Sequence, residues 1–290
     1  MIRMAPGGES PTVRLRRLAS ELRRLRKASG LTNEAVAETL GVAQSWVSRA
    51  ESGRRRIRPI DLRALLDVYG VQGPQREELL LLGRQASQKG WWHTYGDAIP
   101  ERLQIYVGLE AEATQIRAYY SQLIPGLLQT ADYYRSYLAV TLPDAAPDEV
   151  ERMIEFRLAR QERVVMEEDS AMKLTFILNE ACLRRWPLDD TIAQAQLRHL
   201  LKLSKRPNIT LQVVPFDVGL FPAMGGTFVM LGFPVEADPD VVYIEHQVDS
   251  LYLEDPATVE RYSMIFDQIR AKALSPSQTR TFISSLIKEA

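Results

Sequence analysis

The order of side chains in residues 30–56, GLTNEAVAETLGVAQSWVSRAESGRRR, leaves this part of the chain few ways to fold. Val36, Ala37 and Leu40 recur at helical spacing, and Ala37 is small enough to let a second helix approach closely. Gly41 supplies the left-handed conformation that ends the first helix, while Val42 and Val47 are placed to pin a second helix against it. Two short amphipathic helices hinged at a glycine and followed by a basic loop make a helix-turn-helix. Its second helix keeps Gln44, Ser45, Ser48 and Arg49 on the outward side, and all four side chains can hydrogen-bond to base edges or phosphates.

Charge points the same way. The whole chain is nearly neutral, with 36 Lys and Arg against 37 Asp and Glu. Residues 1–89 nevertheless hold 17 of those cations and only 9 of the acids, so the basic excess surrounds the helix-turn-helix and the remainder is acidic. Arg54, Arg55, Arg56 and Arg58 follow the second helix directly and read as phosphate-clamping, since guanidinium forks match phosphate oxygens and release counterions. Arg14, Arg16, Arg17, Arg23, Arg24, Arg26 and Lys27 decorate the preceding helix, where a solvated face explains them as well as DNA does.

From about Leu15 to about Leu82 the chain resembles the lambda-repressor-like, or xenobiotic-response-element, helix-turn-helix family. Leu31-Thr32, Ala37, Leu40-Gly41-Val42, Gln44-Ser45, Val47-Ser48 and Glu51-Ser52-Gly53 carry the likeness. The family commonly has glutamine where Asn33 stands, a side chain that helps fix the phosphate backbone, and serine where Ala43 stands, capping the recognition helix. Loss of such a cap typically costs about 0.5 to 2 kcal/mol, which a fold of this kind survives. Trp46 either packs over the neighbouring loop or touches sugar or a thymine methyl.

A helical unit of five helices is expected to close by about Gln88, giving domains at 1–89 and 90–290 with an aromatic, glycine-framed junction at 89–96. Beyond it, Leu109, Ala113, Ile116 and Tyr120 suggest helix across 100–141, broken at Pro125-Gly126, and a charged helix follows over 148–167. Strand-like runs come at 172–178, 209–215, 227–233, 241–246 and 251–253. The first two, separated by a helix containing Leu197, Leu200 and Leu201, can pair in parallel, and the closely spaced later ones suit antiparallel neighbours. Helices near 258–273 and 277–287 finish the chain, so the fold class is α+β multidomain, an all-α head joined to an α+β domain with a mixed sheet.

The second domain has its own resemblance. Trp91-Trp92, Leu109-Glu110-Ala111-Glu112-Ala113, Tyr119, Pro125-Gly126-Leu127-Leu128-Gln129-Thr130, Glu180, Gln196-Leu197 with His199-Leu200-Leu201, Val213-Val214-Pro215, Gly226 with Phe228, and Tyr243 with Glu245 look like the C-terminal domain of actinobacterial, antitoxin-like transcriptional regulators. The likeness implies a small partner protein, often encoded nearby, whose activity the regulator controls. Arg185-Trp186-Pro187 and Phe221-Pro222-Ala223-Met224 depart from the family pattern.

Catalytic chemistry finds little footing. The three histidines share no metal-ligand spacing, and the single cysteine, Cys182, excludes an intrachain disulfide and fits a reducing cytoplasm. No apolar run approaches the ~20 residues of a membrane span, and residues 1–11 lack the apolar core of a secretion signal. Neither enzyme activity nor a cofactor or metal is expected. The Pro-, Gly- and apolar-rich stretches 124–130 and 217–226 are candidates for a docking groove, with Pro125, Gly126, Gln129, Phe221 and Met224 as partner or ligand contacts; core packing is their plain alternative. The helix over 148–167 is either a dimer surface or a solvated face. The expected protein is thus a cytoplasmic regulator that binds double-stranded DNA as a homodimer. Its second domain takes a small protein or, in the rival reading, a small molecule.

Overall fold

A computed structural model describes residues 11–53, 55–166, 172–185, 189–222, 224–234, 239–246 and 249–289. The chain divides into two compact units, one running through Thr94 and the other from Tyr95 onward. A run of 3-10 turns over Trp91–Ala98, kinked at Gly96, contains the division.

Five α-helices form the first unit: α1 (Pro11–Ala28), α2 (Asn33–Leu40), α3 (Gln44–Glu51), α4 (Pro59–Val68) and α5 (Gly73–Ala86). Leu18, Leu22 and Leu25 of α1 repeat at spacings of four and three, and meet Val36, Ala37, Val47, Ala50, Leu62, Leu65, Leu66 and Leu79 in one core. The turn of the motif forms as its residues dictate. The Thr32 hydroxyl caps α2 by accepting from the Ala35 N–H at 3.1 Å, and Gly41, at φ 63°, ends it in the left-handed region. Ala43 opens α3 with no side-chain cap.

The second unit is built on a six-stranded sheet. Its strands are β1 (Gln115–Tyr120), β2 (Lys173–Asn179), β3 (Ile209–Val214), β4 (Phe228–Gly232), β5 (Val241–Glu245) and β6 (Ser250–Leu253), in the spatial order β3-β2-β1-β4-β5-β6. β1, β2 and β3 are parallel, and β4, β5 and β6 join antiparallel. Around them lie α6 (Glu101–Glu110), α7 (Ala131–Thr141), α8 (Pro147–Gln161), the short α9 (Ala181–Arg184), α10 (Asp190–Leu203), α11 (Pro256–Lys272) and α12 (Pro276–Glu289). Phe266 and Ile269 of α11 cover the sheet face that carries Tyr119, Ile177, Phe228, Met230 and Val242. On the opposite face the α6 ring of Tyr106 packs 4.5 Å from Tyr243. At the outer edge of β3 the Val213 backbone is already paired: Val213 O accepts from Leu274 N at 2.8 Å, and Val213 N donates to Thr279 Oγ1 at 3.2 Å.

The five later strands and the mixed pairing follow the expectation from sequence, whereas the stretch 100–141, expected to be helical up to and after a break at Pro125-Gly126, is helical only at its two ends. That stretch is α6, then the central strand β1, then α7, and β1 is buried on both faces by Ile116, Ala118 and Tyr119. Two-sided burial removes the alternation that marks a half-buried strand, so the apolar spacing across Leu109, Ala113 and Ile116 mimics a helix. The helix expected over 148–167 is α8, followed by a single π turn at Glu162–Met166.

Candidate nucleic-acid interface

Helix α3 is held from below and open above. Val47 and Ala50 are fully buried, while Gln44, Ser45, Ser48 and Arg49 are all exposed, so the helix presents one amide, two hydroxyls and a guanidinium on its outward side. Its C-terminal end is fixed by charge. The Glu51 carboxylate accepts from Arg26 Nε at 2.9 Å on both oxygens and from the Tyr69 hydroxyl at 2.8 Å, and the Arg26 Nη1 group donates in turn to Leu31 O at 2.8 Å. Burial, reinforced by the hydrogen bond to Glu51, pushes the Tyr69 phenol well above its ordinary range and keeps it a donor.

The basic loop beyond α3 sorts its arginines by partner. Arg55 is exposed, with its guanidinium 5.8 Å from the centre of the Trp46 ring, so Trp46 packs partly over the loop. Arg56 Nη2 donates to His93 Nε2 at 3.2 Å. Arg58 is committed to Asp61 through two bonds of 2.8 and 3.0 Å, which hold the Asp61 carboxyl below its usual range. Arg54 lies outside the described residues. Asn33 occupies the first turn of α2, half-buried, with a buried Oδ1 that has no hydrogen-bond partner among the described residues.

The cations of α1 do not act as one face. Arg24 pairs with Glu21 at 2.8 Å on the surface, and Arg26 is drawn inside to Glu51, leaving Arg23 and Lys27 exposed. Sequence reasoning placed Arg26 with the surface charges because its partner lies 25 residues away. A signal was available: Glu51 is an acid at the core-facing end of a short helix, and a buried acid needs a cation.

In the second unit, the stretch 124–130 is core, which corrects the expectation that it exposes a docking surface. Pro125 and Gln129 are buried and Gly126 is half-buried. Three glutamines tie the segment down: Gln129 Nε2 donates to Ile124 O at 2.7 Å, Gln161 Nε2 to Gly126 O and Gln129 O at 2.8 Å each, and Gln196 Nε2 to Leu128 O at 2.7 Å while its Oε1 accepts from Thr130 N at 2.7 Å. A non-helical, non-strand backbone can be buried only if its polar groups are satisfied in this way. A Cβ at Gly126 would run into the Arg157 guanidinium, which itself donates to Gln129 Oε1 at 2.6 Å.

The stretch 216–226 differs. Glu180 is buried and anchors its start by accepting from the Phe216 N–H at 2.7 Å. Phe221 is half-buried, edge-on to Tyr119 at 6.0 Å, and Met224 is exposed. Phe216, at 58% exposure, and Leu220, at 88%, stand in solvent beside it, and the sequence reading overlooked both. Cys182 is buried, which pushes its thiol up to about 12 and leaves it a proton-bearing core group. Among the described residues no group of three His, Cys, Asp or Glu could hold a metal, and no helix is long and apolar enough to cross a membrane.

Two family models match the chain. One, described as a helix-turn-helix domain, covers residues 17–79, and the other, described as a domain of unknown function (DUF5753), covers residues 103–285, well over half of the chain. No curated protein and no solved structure matches it.

Proposed function

Because the chain belongs to the DUF5753 family and joins that domain to a DNA-binding helix-turn-helix, we propose that it is a cytoplasmic, antitoxin-like transcriptional regulator whose operator is read by α3. The observation that carries the reading is the division of α3 into a buried face and an exposed face of Gln44, Ser45, Ser48 and Arg49, with Arg55 and Arg56 at its end. Gln44 is the base-reading residue, because an amide can pair bidentately with adenine, and Arg55 is a phosphate clamp. One such head covers too little DNA to be selective alone. The protein therefore acts as a homodimer, presenting two α3 helices about 34 to 36 Å apart to a two-fold operator.

The DNA reading is tested by titrating a duplex selected from a random pool against an unselected one. Gln44→Ala weakens the selected duplex by about 1 to 3 kcal/mol and barely changes the other. Arg55→Ala weakens both and makes the slope of log affinity against log salt about one unit shallower. Equal losses on both duplexes for Gln44→Ala would reassign it to the backbone, and an unchanged salt slope would remove Arg55 from the clamp.

The second unit takes a small protein encoded near the gene, on the surface of Phe216, Leu220, Phe221 and Met224. Three exposed apolar side chains, Phe216, Leu220 and Met224, on one anchored loop with the half-buried Phe221 support a protein partner over a small molecule. The bound partner changes operator affinity by favouring one arrangement of the heads over another. With the neighbouring protein as bait, Leu220→Asp is expected to weaken capture at least about tenfold while leaving melting temperature unchanged. Capture that survives the substitution, or a melting temperature raised by a metabolite extract in the absence of the bait, favours the small-molecule reading.

A further inference from the structure

The tryptophan-rich junction after α5 contributes a side chain to the DNA-facing loop, and the helix-turn-helix motif does not include it. Gly90 lacks a side chain where the Trp92 ring folds back, and any Cβ there would overlap that ring. The turn is closed by the His93 N–H donating to Gly90 O at 3.1 Å and by the Thr94 hydroxyl donating to Trp91 O at 2.8 Å. The His93 imidazole stacks on the buried Trp92 ring, centroids 5.8 Å apart and planes 30° from parallel. The backbone bond and the stacking restrain the ring, and its Nε2 meets Arg56 Nη2 at 3.2 Å.

We infer that His93 is a positioning residue for DNA binding: as a neutral acceptor it holds the exposed Arg56 guanidinium in place for a phosphate. An arginine free in solvent loses rotamer entropy on binding, and one already restrained loses less, so the acceptor raises affinity without touching DNA. Arginine has no acceptor atom, so the bond exists only while Nε2 carries its lone pair. Burial first, then the Arg56 and Lys89 cations that face the ring, lower the imidazole below its ordinary range and keep it neutral near pH 7.5. Acidification through that lowered value replaces an acceptor with a cation beside Arg56. The contribution is therefore present above the imidazole's range and lost below it. His93 also lies two residues before Tyr95, which packs on Phe156 of α8 at 5.4 Å, so the residue that sets Arg56 is joined by a very short stretch of chain to the effector unit.

The inference rests on Arg56 contacting phosphate, and the test separates the two. The full-length protein is titrated with an unselected duplex at constant ionic strength, at about pH 7.5 and at a lower pH at which the His93 ring resonances show it protonated. His93→Ala is expected to weaken binding about 3- to 10-fold at the higher pH, the range of one hydrogen bond, and to match wild type at the lower. His93→Gln, whose side-chain carbonyl accepts and does not titrate, keeps wild-type affinity at pH 7.5 and holds it on acidification. In the Arg56→Ala background, His93→Ala has no further effect, an outcome that a general disturbance of the turn would not give. The positioning role is overturned if Arg56→Ala weakens binding but His93→Ala does not. It is overturned equally if wild type gains on His93→Gln as pH falls, which makes the imidazolium a direct phosphate contact. An unchanged affinity and salt slope for Arg56→Ala would remove the phosphate contact and the inference with it.

Discussion

Replacing Glu51 by alanine is expected to lower the stability of the first unit by about 3 to 5 kcal/mol, the cost of leaving a buried charge without its partner. Glu51 and Arg26 have side chains only 4% and 12% exposed, and the carboxylate also receives the Tyr69 hydroxyl. Alanine strands both donors in a core where water cannot replace the lost acceptor. At about 0.05 to 0.15 kcal/mol per residue, a unit of this size holds roughly 5 to 14 kcal/mol in all, so a large share of its margin disappears. Hydrogen exchange of the amides of α1 to α4 in the intact chain measures the change where it occurs, with the sheet amides of the second unit as an internal reference. Tyr69→Phe removes one neutral donor and costs about 1 kcal/mol. Arg26→Met with Glu51→Leu recovers most of the loss, because no charge is left to desolvate. Protection unchanged in Glu51→Ala would mean that water reaches Arg26 and that the pair is ornamental. Since Glu51 ends α3, the same substitution also frees the recognition helix, and operator affinity falls with stability.

The turn of the helix-turn-helix was legible because every determinant of it is local. Thr32 caps, Gly41 takes a positive φ, and Val36, Ala37, Val47 and Ala50 recur at the helical period. The outward residues of α3 follow from the same period without knowledge of the partner. Arg26 was legible only through the core-facing acid Glu51, and the contact of His93 not at all, since their partners Glu51 and Arg56 lie 25 and 37 residues away in sequence. In the second unit β2 to β6 could be read as short apolar runs set between turn residues, and β3 and β5 also by their Val and Ile content. β1, with one β-branched residue in Gln-Ile-Arg-Ala-Tyr-Tyr and no glycine or proline between Gly108 and Pro125, carried neither signal. Loop 124–130 misled for a third reason. Proline, glycine and leucine are as suited to a groove as to a core, and only the backbone bonds from Gln129, Gln161 and Gln196 decide the matter.

Those glutamines sit beside the largest electrostatic commitment of the second unit. Arg160 of α8 is buried and binds Glu110, at the end of α6, through paired bonds of 3.0 and 2.7 Å, between the rings of Tyr106 and Phe156 at 5.5 and 5.9 Å. Burial works against its charge, yet the Glu110 carboxylate more than offsets it and holds the Arg160 guanidinium above its ordinary range. One turn earlier, Arg157 lies 3.5 Å from the centre of the Tyr134 ring and has no carboxylate partner among the described residues; burial lowers its pKa, and Arg160 adds to the shift. Glu110 thus binds Arg160, while Arg157 lies one turn away on the same helix and feels the Arg160 charge. Glu110→Ala is expected to cost the second unit about 3 to 5 kcal/mol, because the buried Arg160 is then left without its carboxylate, one turn from a second cation. Exchange of the β1 and β2 amides reads the loss, and the first unit's amides should not move. The decisive comparison is Glu110→Leu with Arg160→Met. If charge is the cause, the double variant is more stable than Glu110→Ala, even though it changes more atoms. If the double variant is as unstable as the single one, the cost comes from packing around Tyr106, and the ion pair is a consequence of the fold instead of one of its supports.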